Sequence, residues 1–182
     1  MSFREDLWIM ETTDLSDYEK IFKGCTPNDA GQLDLISDAD LTIAVMLQLV
    51  GNYTEKTSNL PLPCQNVLAI FLVLDRAYME DFEQVYTDPD ITPIVPSAIA
   101  GLFEMNENEL AEIIKQSHTI YEKSKDIIEQ YKNSDIKWEK LLDLGLWNGV
   151  SESFHTAYNK SDYLKPSIAK YIRNNYRNFL SL

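Results

Sequence analysis

Histidine is almost missing from this chain: His118 and His155 are the whole supply in 182 residues. A Ser–His or Cys–His catalytic pair has little to draw on. A di-iron bundle site needs two Glu-x-x-His copies and two further glutamates. Glu152-Ser153-Phe154-His155 offers one copy, and Lys115 stands where His118 would need its glutamate. Cysteine is as scarce, and Cys25 and Cys64 cannot make a disulfide framework in a chain of this length. Cys64, near an expected helix start, reads as a small buried hydrophobe. Six glycines leave no G-x-G-x-x-G and no G-x-x-x-x-G-K, so no phosphate loop. The stretch "DPDITPIVPSAI" at 88–99 has the first two acids of a calcium loop, then prolines and no glycine, which rejects the EF-hand form. Paired carboxylates such as Glu80 and Glu83 could serve acid–base work, but no substrate-binding group stands beside them. No cofactor, no metal and no catalysis are expected.

Long apolar runs are also lacking. The longest, Val67 to Leu74, is far short of a membrane span. The opening "MSFREDLWIMETTDL" carries acids and no apolar core, unlike a signal peptide. A cytoplasmic protein without a membrane partner is expected. Positive charge is the last shortage. Sixteen Lys and Arg face twenty-nine Asp and Glu, for a net charge of −13. Residues 1–91 hold seventeen acids against five bases, and residues 92–182 hold twelve against eleven. Nearly all the excess therefore sits in the first half. Such a charge repels nucleic acid and anionic lipid and attracts basic proteins.

What is present is helical spacing. Few glycines and prolines favour helices over a turn-rich sandwich, and 45% apolar residues suit a globular core. Leu41–Val50 and Val67–Leu74 are apolar nearly all round, as a central helix is. Ser37 with Asp40 forms a capping-box-like start for the first. Pro61 and Pro63 suit the first turn of the second, which continues through "DRAYMEDFEQVY" with Leu74, Tyr78, Phe82 and Val85 on one face. Residues 106–132 put Leu110, Ile113, Ile114, Ser117, Ile120, Tyr121, Ser124, Ile127, Ile128 and Tyr131 on one stripe, with Asn106 and Glu109 as an N-terminal cap. Asp14–Phe22, "PSAIAGLF", Lys137–Leu144 and Ser151–Tyr158 read as shorter helices. The final segment places Leu164, Ile168, Tyr171, Ile172 and Phe179 inward. Trp8, Trp138 and Trp147 read as core anchors. The expectation is an all-α, single-domain multi-helix bundle over 1–182 with a central apolar helix: acidic N-terminal helices over 1–60 and a helical core over 61–182.

Acids concentrate at residues 75–90. Asp75, Glu80, Asp81, Glu83, Asp88 and Asp90 face one arginine, Arg76. Their place is the outward part of the last turns of a helix. Carboxylates three and four apart on a helix are about 5–6 Å apart at Cβ, whereas duplex DNA carries one charge per about 1.7 Å of axis. A row joined by acids of other elements approaches that density over a short patch. Asp34, Asp38 and Asp40 are possible support.

From Leu74 onward the chain resembles the DNA-mimic-protein-like domain family of small acidic helical bacterial proteins. The resemblance is carried by "MEDFEQVY" at 79–86, then "PSAIAGLF", "ELAEIIKQSHTIYE" and "LKPSIAKYIRNNYRNFL". Phe82, Gln84 and Tyr86 match a family stretch of the form Asn-Gly-Gly-Phe-x-Gln-Phe/Tyr. Glu80 and Asp81 stand where its glycines are expected. The resemblance implies an all-α fold, no catalysis, and binding to a DNA-binding protein through acidic surface. An immunity protein that neutralises a bacterial nuclease toxin has similar charge logic and is the alternative. A homodimer is compatible with either; direct contact with nucleic acid is not.

Overall fold

The computed structural model describes residues 16–51, 59–132, 137–180 and 182. Trp8 and the Asp14 start of the first expected helix lie outside them, as do the side chains of Tyr131 and Trp138. The described residues form an all-α helical bundle; an isolated bridge between Thr26 and Asp29 is its nearest approach to β structure. The α-helices are α1 (Ser16–Phe22), α2 (Asp38–Gly51), α3 (Leu62–Thr87), α4 (Val95–Glu104), α5 (Asn108–Lys132), α6 (Lys137–Leu144), α7 (Asn148–Lys160) and α8 (Lys165–Asn174). Among the described residues no helix is long and apolar enough to cross a membrane. Contacts divide the chain into two compact units, residues 1–64 with 165–182, and residues 65–164.

In the first unit α2 packs on α8 and on α1. Ser37 starts α2 as its spacing predicts: its hydroxyl accepts from the Asp40 N–H at 3.1 Å and donates to the Asp40 carboxylate at 2.6 Å. Thr42 donates to the Lys165 carbonyl at 3.1 Å. Arg173 at the end of α8 donates to Asp38 at 2.6 Å and to the carbonyls of Ile36 and Leu33 at 2.7 and 3.2 Å. Tyr18 donates to the Phe179 carbonyl. Ile168, Tyr171 and Ile172 of α8 are buried, as the helical spacing requires, and Phe179 beyond the end of the helix is buried too.

In the second unit the apolar part of α3 is helical as expected, and every residue from Asn66 to Leu74 is buried. Helix α4 packs on α5, and α5 on α6 and α7. A Cβ at Gly101 of α4 would lie 2.9 Å from Asn66 and Ile70 of α3, so the glycine sets how closely those helices approach. Ser117 explains the small position on the α5 stripe. It donates to the Ile114 carbonyl at 2.7 Å and takes the Tyr86 hydroxyl at 2.8 Å, while its own carbonyl takes the Trp147 indole N–H at 3.0 Å. Tyr86 stacks on Tyr121 and Trp147 with centroids 4.8 and 5.3 Å apart.

Two local expectations change. Asn106 does not cap α5. With φ 64° it closes α4: Glu107 N–H bonds to the Leu102 carbonyl and Asn106 N–H to that of Phe103, a Schellman closure for which asparagine is one of the few suitable residues. The broad stripe on α5 is also only half used. Leu110, Ile114, Ser117, Tyr121 and Ile128 are buried, Ile113 and Ile120 are partly exposed, and Ile127 is 43% exposed.

Candidate partner-binding surface

Six of the nine expected acids belong to the second unit and three to the first. In the second unit the acids cluster where α3 ends. Arg76 reaches Glu80 one turn on, at 2.5 Å, and Asp88 at 3.2 Å. Asp88 also accepts the N–H groups of Asp90 and Ile91 at 2.8 and 3.3 Å, which fixes the turn after the helix. Asp90 and Glu80 are exposed. Asp75 is partly buried; burial pushes its carboxyl above the ordinary range, against the pull of the Arg76 guanidinium beside it. Glu83 departs from the outward position expected of it. Its residue is only 3% exposed, and burial raises its carboxyl, with Asp81 adding to the rise and its own N–H opposing it. Glu83 therefore lies off the exposed row.

In the first unit Asp34 and Asp40 are exposed. Asp38 is held by Arg173, whose guanidinium also comes within 3.8 Å of Asp34. Arg76 thus pairs with Glu80 and Asp88 and draws on Asp75, and Arg173 answers Asp38 and Asp34.

Asp81 interrupts α3. Its φ of 64° and ψ of 173° lie outside any helical region, in a part of backbone space that belongs almost wholly to glycine and costs other residues about 1–3 kcal/mol. The continuous helix expected over 67–86 is therefore broken at this residue. Here also the sequence stretch "MEDFEQVY" has an acid where a glycine was expected. The Asp81 carboxylate lies 3.7 Å from the imidazole of His155 on α7. His155 in turn belongs to an aromatic group. Tyr78 lies 5.3 Å from His155, 5.6 Å from Tyr158 and 5.8 Å from Tyr163 between ring centroids. The segment bearing Tyr163 is itself unusual: Asp162, Tyr163 and Leu164 have φ of 51°, 55° and 61°. Three successive left-handed L-residues cost about 1–2 kcal/mol each.

The span that contains these features carries the relationship to known proteins. The family model described as DMP19-like protein matches residues 58–175, well over half of the chain. The chain belongs to the DMP19-like protein family. The matched span of this DMP19-like chain begins before α3 and reaches past the end of α8, so it takes in the Asp81 break and the whole 75–90 acid group. No curated protein and no solved structure matches.

Sequence reasoning missed the aromatic group at this DMP19-like chain's acid cluster. Tyr78 was visible only as one member of the α3 stripe, and Tyr163 as part of the final helix. Nothing in spacing links residues 78 and 163; α7 and the left-handed turn after it bring them together. Of the Glu152–His155 pair, Glu152 is exposed and His155 contacts Asp81 and Tyr78.

Proposed function

We propose that this chain is a non-enzymatic acidic protein that binds a basic partner protein, and that it does so as a DNA mimic, occupying the DNA-binding face of a regulator. The observation that carries the reading is the charge of residues 1–91, seventeen acids against five bases; membership of the DMP19-like family agrees with it. A basic groove releases its anionic atmosphere and the acids release cations when they meet, so the complex gains affinity as a duplex does. Asp75, Glu80, Asp81, Asp88 and Asp90 are the proposed contacts in the second unit, with Glu83 adding field from a buried position. Asp34, Asp38 and Asp40 supply a second set in the first unit.

The test is capture from native cell extract at low salt, followed by elution with rising salt and by competition with duplex DNA. A basic DNA-binding protein released by both salt and duplex is the expected result. A nuclease held through high salt would identify an immunity protein instead. Binding that is indifferent to salt overturns the DNA-mimic reading, and capture of no basic protein overturns both.

A further inference from the structure

We propose that Tyr78, Tyr158, Tyr163 and His155, together with the Asp81 carboxylate, form a receptor for an arginine side chain of the basic partner. The inference rests on the proposed function and adds a point of specificity to what charge alone provides.

The geometry begins with the rings. Tyr163 stands at 85° to Tyr78 and at 84° to Tyr158, with centroids 5.8 and 5.3 Å away. Rings at right angles meet edge to face and leave other π faces uncovered by the contact. Tyr78, His155 and Tyr163 are each partly exposed. Behind them Tyr158 stacks on buried Phe154 with centroids 5.3 Å apart, which anchors the group to the core.

Two carboxylates border the rings. Asp81 keeps 47% of its side chain exposed while it touches His155. Asp75 is near enough for its charge to push the Tyr158 phenol up, after burial as the larger cause. A guanidinium is planar, weakly hydrated and able to stack on an aromatic face while it donates to a carboxylate; an ammonium is a strongly hydrated point charge. Rings beside a carboxylate therefore favour arginine over lysine. Tyrosine and arginine are also the residues on which binding energy concentrates at interfaces.

The experiment titrates the full chain with octa-arginine and octa-lysine peptides by calorimetry at moderate salt. The net charge of −13 attracts both, and the guanidinium fork favours carboxylates by itself, so the change in the ratio of dissociation constants on removing the rings isolates them. Wild type is expected to prefer octa-arginine by about tenfold, on the scale of one good cation–π contact. The double variant Tyr78→Leu, Tyr163→Leu leaves the charge unchanged and is expected to lower the ratio several-fold, leaving only the preference of the carboxylates. Tyr78→Phe keeps the ring and is expected to keep the preference. In wild type the His155 ring protons should shift with octa-arginine in NMR, a readout that needs no variant to fold. Equal binding of the two peptides by wild type, a double variant that retains the full preference, or unmoved His155 protons would each overturn the receptor. A preference that holds while no basic protein is captured from extract would remove the functional reading alone.

Discussion

At Asp81 the chain places a charged, Cβ-bearing residue in a backbone conformation that glycine adopts freely, φ 64° and ψ 173°. The strain acts in the folded state, so Asp81→Gly should raise stability by about 1 kcal/mol, after the larger unfolded-state entropy of glycine is set against about 1–3 kcal/mol of relief. Urea unfolding checks it: a midpoint that falls would mean the carboxylate's contact with His155 outweighs the strain. Glu83 makes the second residue-scale case. Its carboxyl is raised from 4.5 by burial, so the folded state holds the proton more tightly than the unfolded one. The stabilising effect of that proton is complete below the unfolded value of 4.5 and is lost as pH rises from there through the folded value. At neutral pH the buried charge is a cost. Glu83→Gln should therefore stabilise the protein at pH 7 by about 1 kcal/mol and flatten the pH dependence above 4.5, a difference read from thermal melts across pH. The burial of Glu83 leaves no trace in the sequence, and at Asp81 the one trace is the glycine expected there from the family resemblance. The sequence pattern put Glu83 among outward acids because charge predicts exposure, and it put Asp81 in mid-helix because one broken residue does not disturb the spacing of Phe82 and Val85.

Elements were far more legible than residues, and Gly101 shows why. Helices α2 to α5, α7 and α8 lie where apolar spacing predicts them, because burial of a continuous face leaves a periodic trace. Contact between helices leaves none. Gly101 lies inside "PSAIAGLF" as an apparent weak point, yet a Cβ there would meet Asn66 and Ile70 at 2.9 Å. Gly101→Ala gains helix propensity of about 0.5–1 kcal/mol and meets overpacking worth about 1–3 kcal/mol. The expected net is a loss of about 1 kcal/mol, and Gly101→Val should lose more. Chemical denaturation decides it, and an alanine variant more stable than wild type would show that α4 can shift away from α3. The same limit explains Asn106. Its residue type suits both an N-cap and a left-handed helix end, and only the bond from Glu107 N–H to the Leu102 carbonyl tells which is used. The tyrosine group was illegible for a related reason: its members come from α3, α7 and a left-handed turn, each with its own period.

For the whole molecule the excess of acids sets two salt responses of opposite sign. A net charge of −13 repels itself in the folded state, and Arg76 and Arg173 relieve only part of that repulsion at the sites they occupy. Screening lengths fall from about 30 Å at 0.01 M salt to about 8 Å at 0.15 M. Raising salt over that range should therefore raise the melting temperature of the free protein. The same change should weaken the complex with a basic partner by orders of magnitude, since each released counterion adds to the slope. Lower pH offers an independent check, because protonating raised carboxyls such as Asp75 and Glu83 relieves charge and burial cost together. His118 works against this. Burial holds its imidazole below the ordinary 6.5, so its contribution is complete above that value and declines as pH falls below it. Melts of wild type and His118→Gln at pH 7 and pH 5 separate the two effects: the variant should gain more stability on acidification than wild type does. A free protein destabilised by salt would mean its acids are already compensated inside the fold, and the surplus charge would then have no surface role left to explain.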